Sequence, residues 1–178
     1  MREGSLSFLA RLIYYIPSTE KKQNTLNIIH ETLVGANIKK RKIIFLELCK
    51  TIITNCSYDF YKMHLETHIM ELKQDSSPEV KIKFMTYMIP TLNEEFGPLD
   101  QALVLDLIIY LNELKNDANK DISHYAFELD EDIKFHKSPS KEVIKAAEER
   151  NEKYKRIEQA LQQREKFEIE EDEKKKKS

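Results

Sequence analysis

Leu72-Lys73-Gln74-Asp75 recurs as Leu114-Lys115-Asn116-Asp117, forty-two residues further along the chain. At the same offset Leu65 maps to Leu107, Ile69 to Leu111 and Val80 to Ile122, and one step back Val80 maps to Ile38. Each time an apolar stretch with helical spacing runs into a polar turn, and a new helix begins. The register predicts helix pairs over 20–55, 58–94 and 99–136, with Ile38, Val80 and Ile122 at one equivalent place in each. A two-helix period of this length is the mark of a helical solenoid. One pair cannot bury its apolar face alone, so stacked neighbours must supply the core.

Outward from that repeat, polar breaks divide the chain into helices over about 5–16, 20–34, 38–55, 58–73, 79–94, 99–115, 120–136 and 141–173. The breaks carry the right chemistry. Asp75 to Pro78 offers an N-cap and a proline at a helix start, Pro98 with Asp100 opens the next pair, and Ser140 precedes the last helix. The expected core is Phe60, Leu65, Ile69 and Leu72 against Val80, Phe84, Tyr87 and Met88. In the third pair Leu103, Leu107, Leu111 and Leu114 face Ile122, Ala126 and Leu129. The fold class is therefore all-α: a right-handed α-α superhelix of about three helix pairs over 1–137, followed by a long charged C-terminal helix over 138–178.

That tail is read as a solvated single helix that frays near Glu170 into a disordered end. Val143, Ala147, Tyr154, Ile157 and Leu161 give a weak coiled-coil seam, interrupted by Arg150 and Arg164. It ends in Lys174-Lys175-Lys176-Lys177, a solubilising run or a polyanion tag.

Composition closes off several functions. The 178 residues hold only three glycines, too few for a doubly wound fold or a phosphate-cradling loop. A net charge of −2, from 29 basic and 31 acidic residues, argues against a nucleic-acid partner. The absence of an 18-residue apolar run excludes a membrane span. The apolar start, Leu6 to Ile16, contains Arg11 and lacks a small-residue cleavage site, so it is not read as a signal peptide. Cys49 and Cys56 lie two turns apart on one helix, too far for a bridge, which points to a reducing compartment. Cys49 is expected to be buried and Cys56 more exposed.

No residue set forms a catalytic constellation. His64 and His68 stand at i, i+4, a spacing two metal ligands can use, but Leu65 occupies the place where a zinc protease needs glutamate, and no third ligand is evident. They are read as surface histidines, with no metal, cofactor or small-molecule substrate expected. Asp75 and Asp117 are read as structural caps. Lys39-Lys40-Arg41-Lys42 sits in a helix first turn, where cations oppose the macrodipole. That local conflict suggests an acidic partner or a solvated turn.

Several stretches resemble one known family. Val80-Lys81-Ile82-Lys83-Phe84, following Leu72 to Pro78 and ending at Pro90, resembles the turn-and-helix pattern of HEAT-repeat scaffold and regulatory subunits of serine/threonine protein phosphatases. Phe45-Leu46-Glu47-Leu48-Cys49 with Ser57, Phe60, Tyr61 and Lys62 is similar to the same family. So is Lys120-Asp121-Ile122 with Glu128-Leu129-Asp130, running into a Lys/Glu-rich helix. Over about 38–165 the likeness is to the C-terminal part of regulatory subunits of the phosphatase 4 class. The resemblance implies a non-catalytic, cytoplasmic scaffold of HEAT or armadillo type, the end piece of a longer solenoid, which binds a phosphatase catalytic subunit. Its binding row would be the second helices, 38–55, 79–94 and 120–136, with Lys39, Arg41, Lys81 and Lys83 as contacts. The alternative is a structural protein of a filament or organelle, attached through the seam residues Ile157 and Leu161.

Overall fold

Caps and prolines fix where the helices start. The computed structural model describes residues 2–135 and 139–177, and among them every regular element is a helix. Helix α1 is Arg2–Tyr14. Ser18, in extended backbone, accepts the Lys21 amide and opens α2, which runs over 19–35. Helix α3 is Lys39–Ile53. Ser57 accepts the Phe60 amide and opens α4 over 58–73, and Pro78 takes the first position of α5 over 78–96. Asp100 accepts the Ala102 and Leu103 amides at the start of α6, Gln101–Leu114. Helix α7 is Lys120–Phe135 and α8 is Lys141–Lys177. The break expected over 137–140 lies partly outside the described residues.

The helix order matches the sequence reading, and the all-α fold class holds. Proline also shapes an element from within. Pro90 lacks an amide, and its ring would strike the carbonyl four residues back in a regular helix. Over Phe84–Met88 the helix widens by one residue, and the Ile89 amide reaches the Phe84 oxygen.

The helices pack in two layers. Helices α2, α4 and α6 lie side by side, joined by contacts such as His68 Nε2 to Asn27 Oδ1 (3.0 Å) and Tyr110 OH to Lys73 O (2.9 Å). Helices α3, α5 and α7 form the second row, and α1 packs against α3. Phe45, Leu46, Leu65, Ile69, Phe84, Met85 and Leu92 are completely buried between the layers. Each such side chain contributes about 1.5–3 kcal/mol of burial, against which chain entropy must be set.

The same ion pair joins successive turns. Lys42 Nζ lies 2.5 Å from Asp75 Oδ2, and Lys81 Nζ lies 3.1 Å from Asp117 Oδ2. In both turns the other carboxylate oxygen accepts an amide two residues on, from Ser77 (2.8 Å) and Asn119 (2.9 Å). Asp75 and Asp117 are thus structural, but as turn-formers and not as the caps expected of them: each lies two residues before the residue that opens the helix, Ser77 and Asn119.

The equivalence of Ile38 with Val80 and Ile122 needs correction. Val80 and Ile122 are third in their helices and are 0 % and 1 % exposed, but Ile38 precedes α3 and is 44 % exposed. The ion pairs and the core give the true register, because Lys42, Phe45 and Leu46 match Lys81, Phe84 and Met85 thirty-nine residues on. The link before α3 is short and turns through Asn37, the one described non-glycine residue with a left-handed backbone (φ 50°).

The tail also departs from expectation. The first part of α8 lies across the turns of the stack instead of standing free. Arg150 Nη2 donates to Ile53 O (3.1 Å), capping the end of α3, and pairs with Glu95 (2.8 Å). Asn151 Oδ1 accepts the Tyr58 amide (2.8 Å). Glu158 accepts the Ser57 amide (2.9 Å), the Ser57 hydroxyl (2.5 Å) and the Tyr14 hydroxyl (3.0 Å). An anion at the start of α4 and a cation at the end of α3 both suit the helix dipoles. Tyr154 and Ile157 pack on the core between these anchors. Beyond Glu165 the described side chains are exposed. There Glu170, Glu171, Asp172 and Glu173 each precede a lysine by four residues, and each such pair adds about 0.2–0.5 kcal/mol to an isolated helix.

One buried group is a stability defect. Tyr61 is completely buried, stacked on Phe96, and its hydroxyl has no hydrogen-bond partner among the described residues. Leaving a buried hydroxyl unpaired costs about 1–3 kcal/mol. Tyr61→Phe is therefore expected to raise the urea midpoint, whereas most core substitutions lower it. A lowered midpoint would refute the reading.

Candidate interaction surface

The exposed side of the second row is where side chains of successive units meet. Lys83 of α5 pairs with Glu47 of α3 (3.1 Å) and lies over the Tyr87 ring, 3.1 Å from its centroid. Lys50 of α3 approaches the same ring at 4.5 Å. Two ammonium groups thus lie against one aromatic ring, each gaining cation–π attraction. The Tyr87 side chain is half-buried.

The structure assigns the expected contact residues different settings. Lys39 pairs with Glu79 at the start of the neighbouring helix, and Lys81 is held by Asp117. Arg41 is exposed beside them. Lys42, the last of the basic cluster, is buried, held by Asp75 and by Asn37 Oδ1 (2.6 Å). Its conflict with the macrodipole is resolved inside the protein. Ile157 and Leu161 are half-buried on the docked side of α8. Lys50 and Tyr87 were missed as site residues, since helical periodicity places Tyr87 in the core. Lys83 four residues before Tyr87 is the signal that would have found it.

Further along the same face, Pro90 and Glu94 follow Tyr87 at helical spacing. They lead into a cavity of about 730 Å³ between α5, α7 and the start of α8. Leu129, Ile133 and Val143 line it with Pro90, and Glu94 and Asp132 lie at its edge.

The histidines are not surface residues. His64 is 5 % exposed, with Nδ1 2.6 Å from Gln23 Oε1, and His68 stacks on His30 with ring centroids 4.3 Å apart. They build the α2–α4 contact. Among the described residues no group of three or more His, Cys, Asp or Glu could hold a metal. Burial, and secondarily Lys22, pushes His64 down to about 4.

The unfolded chain takes up the His64 proton near 6.5 and the folded one only near 4, so this histidine withdraws stability as pH falls through that interval. Thermal midpoints of the parent chain should drop more steeply between those values than those of His64→Gln. Parallel curves would contradict the assignment. Cys56 is as completely buried as Cys49, contrary to its expected exposure. Burial pushes both thiols up, away from nucleophilic use.

No described helix is long and apolar enough to cross a membrane. Comparison with protein-family models, curated proteins and solved structures finds no match to this chain.

Proposed function

We propose that the chain is a non-catalytic helical-repeat scaffold that docks another protein on the exposed face of α3, α5 and α7. On this reading the two layers form a right-handed superhelical stack of HEAT type. The observation that carries it is the repeated turn, Lys42 with Asp75 and Lys81 with Asp117, which keeps neighbouring pairs in register and makes their faces continuous. The partner class comes from the resemblance: the catalytic subunit of a cytoplasmic serine/threonine phosphatase of the phosphatase 4 class. Attachment to a filament or organelle through Ile157 and Leu161 is the weaker reading, because Ile157 already packs on the core and Leu161 is half-buried.

The test is capture of the purified catalytic subunit by the immobilised full chain. Capture is expected, with a loss of about tenfold or more in Lys50→Glu/Lys83→Glu, since charge complementarity sets partner register. No capture overturns the partner. Capture unaffected by the reversals overturns the surface.

A further inference from the structure

We infer that the cavity between α5, α7 and α8 is a docking groove for a basic peptide segment with an apolar anchor. The inference rests on reading this face as a protein-docking surface, and it names what one end of that surface takes. Its volume, about 730 Å³, lies within the range of sites that enclose a ligand. Leu129, Ile133 and Val143 give it an apolar floor, and Val143 remains 49 % exposed. The floor therefore still has apolar area for a side chain to cover.

The edge decides the sign of the occupant. Glu94 and Asp132 are both exposed, and neither has an ion-pair partner among the described residues. No lysine or arginine is among the described lining. The groove also lies at the C-terminal end of α5, where the last carbonyls add partial negative charge. An acidic segment would be repelled here, and a purely apolar one would bury carboxylates without compensation. A segment with lysine or arginine flanking a leucine-sized side chain satisfies both floor and edge. Lys50 and Lys83 lie further up the same face, so among the described residues these two ammonium groups and the two groove carboxylates stand at opposite ends. That polarity would orient a bound partner.

The probe is a fluorescein-labelled peptide with two leucines among lysines, titrated with the full chain and read by anisotropy. A twin peptide with glutamate for lysine is the control. Binding of the lysine peptide is expected, about tenfold or more tighter than the twin, and weaker as salt rises. Glu94→Lys/Asp132→Lys should cost about tenfold or more, while Lys21→Glu, exposed on α2 in the other row, leaves affinity unchanged. Val143→Ser should weaken binding with helix content retained, which reports the apolar anchor. No binding, equal binding of the two peptides, or indifference to the double reversal each overturns the groove. Peptide binding without phosphatase capture sinks the partner and spares the groove. Capture without peptide binding does the reverse.

Discussion

Asp75→Ala should destabilise the fold by about 3–5 kcal/mol, because it leaves a buried ammonium without its counter-charge. Lys42 and Asp75 have side chains 10 % and 8 % exposed, and they join the first turn of α3 to the turn before α5. The substitution also frees the Ser77 amide, which Asp75 holds at 2.8 Å. Urea unfolding measures the loss. The equivalent Asp117→Ala should cost less, since Lys81 and Asp117 are 23 % and 17 % exposed and their pair is longer. Adding Lys42→Met to Asp75→Ala should recover much of the loss, as removal of the whole pair is cheaper than removal of one partner. A loss no larger than that of Asp117→Ala would show that the pair is not isolated from water as its burial implies.

Glu158→Ala is expected to have the next largest effect, on the docking of α8. It strands the amide and hydroxyl of Ser57, which is completely buried, and the hydroxyl of Tyr14. Hydrogen bonds to a charged group contribute about 1.5–3 kcal/mol each, though three on one carboxylate do not add. Lys22 adds to the penalty. It is 5 % exposed, with Nζ 4.8 Å from the centre of the Phe60 ring; burial pushes its pKa down, and Glu158 partly offsets that. Limited proteolysis should cut within 141–165 in the variant while 2–135 stays protected. Glu158→Gln keeps acceptors and should lie between. Unchanged protection of α8 would mean that Tyr154 and Ile157 hold it without the carboxylate.

Much of this architecture is legible in residue order. The aspartate at Asp100 and the serine at Ser140, with Pro78, mark helix starts through local chemistry that needs no partner. The recurrence of Asp75 at Asp117 exposes the repeat because both carboxylates do the same work in the same turn. The place of Ile38 was not legible: the first period is three residues short, and apolar character alone cannot distinguish a capping position from a core one. Docking of α8 was hidden for a different reason. Of its anchors, Arg150 reads as a charge interrupting a seam and Asn151 and Glu158 carry no signal, yet Asn151 meets a backbone amide, Arg150 a carbonyl oxygen, and Glu158 an amide and two hydroxyls. Backbone ends are exposed by the tertiary fold and leave no mark in the sequence. His64 and His68 were misplaced likewise, since amide partners such as Gln23 and Asn27 turn an inter-helix face inward.

A pile of helix pairs held only by nearest neighbours behaves as a spring, since each junction can hinge slightly and small rotations accumulate along the row. A stiff rod pinned near both ends of such a spring acts as a chord and sets its bend. Between Val143, beside α5 and α7, and Gln162, beside α2 and α4, α8 extends roughly 28 Å at a helical rise of about 1.5 Å per residue. On the proposed reading of the chain as a docking stack, Arg150 and Glu158 would preset the curvature of the face formed by α3, α5 and α7, and a partner would have to fit it instead of bending it. Tension that peels the rod away would return that compliance.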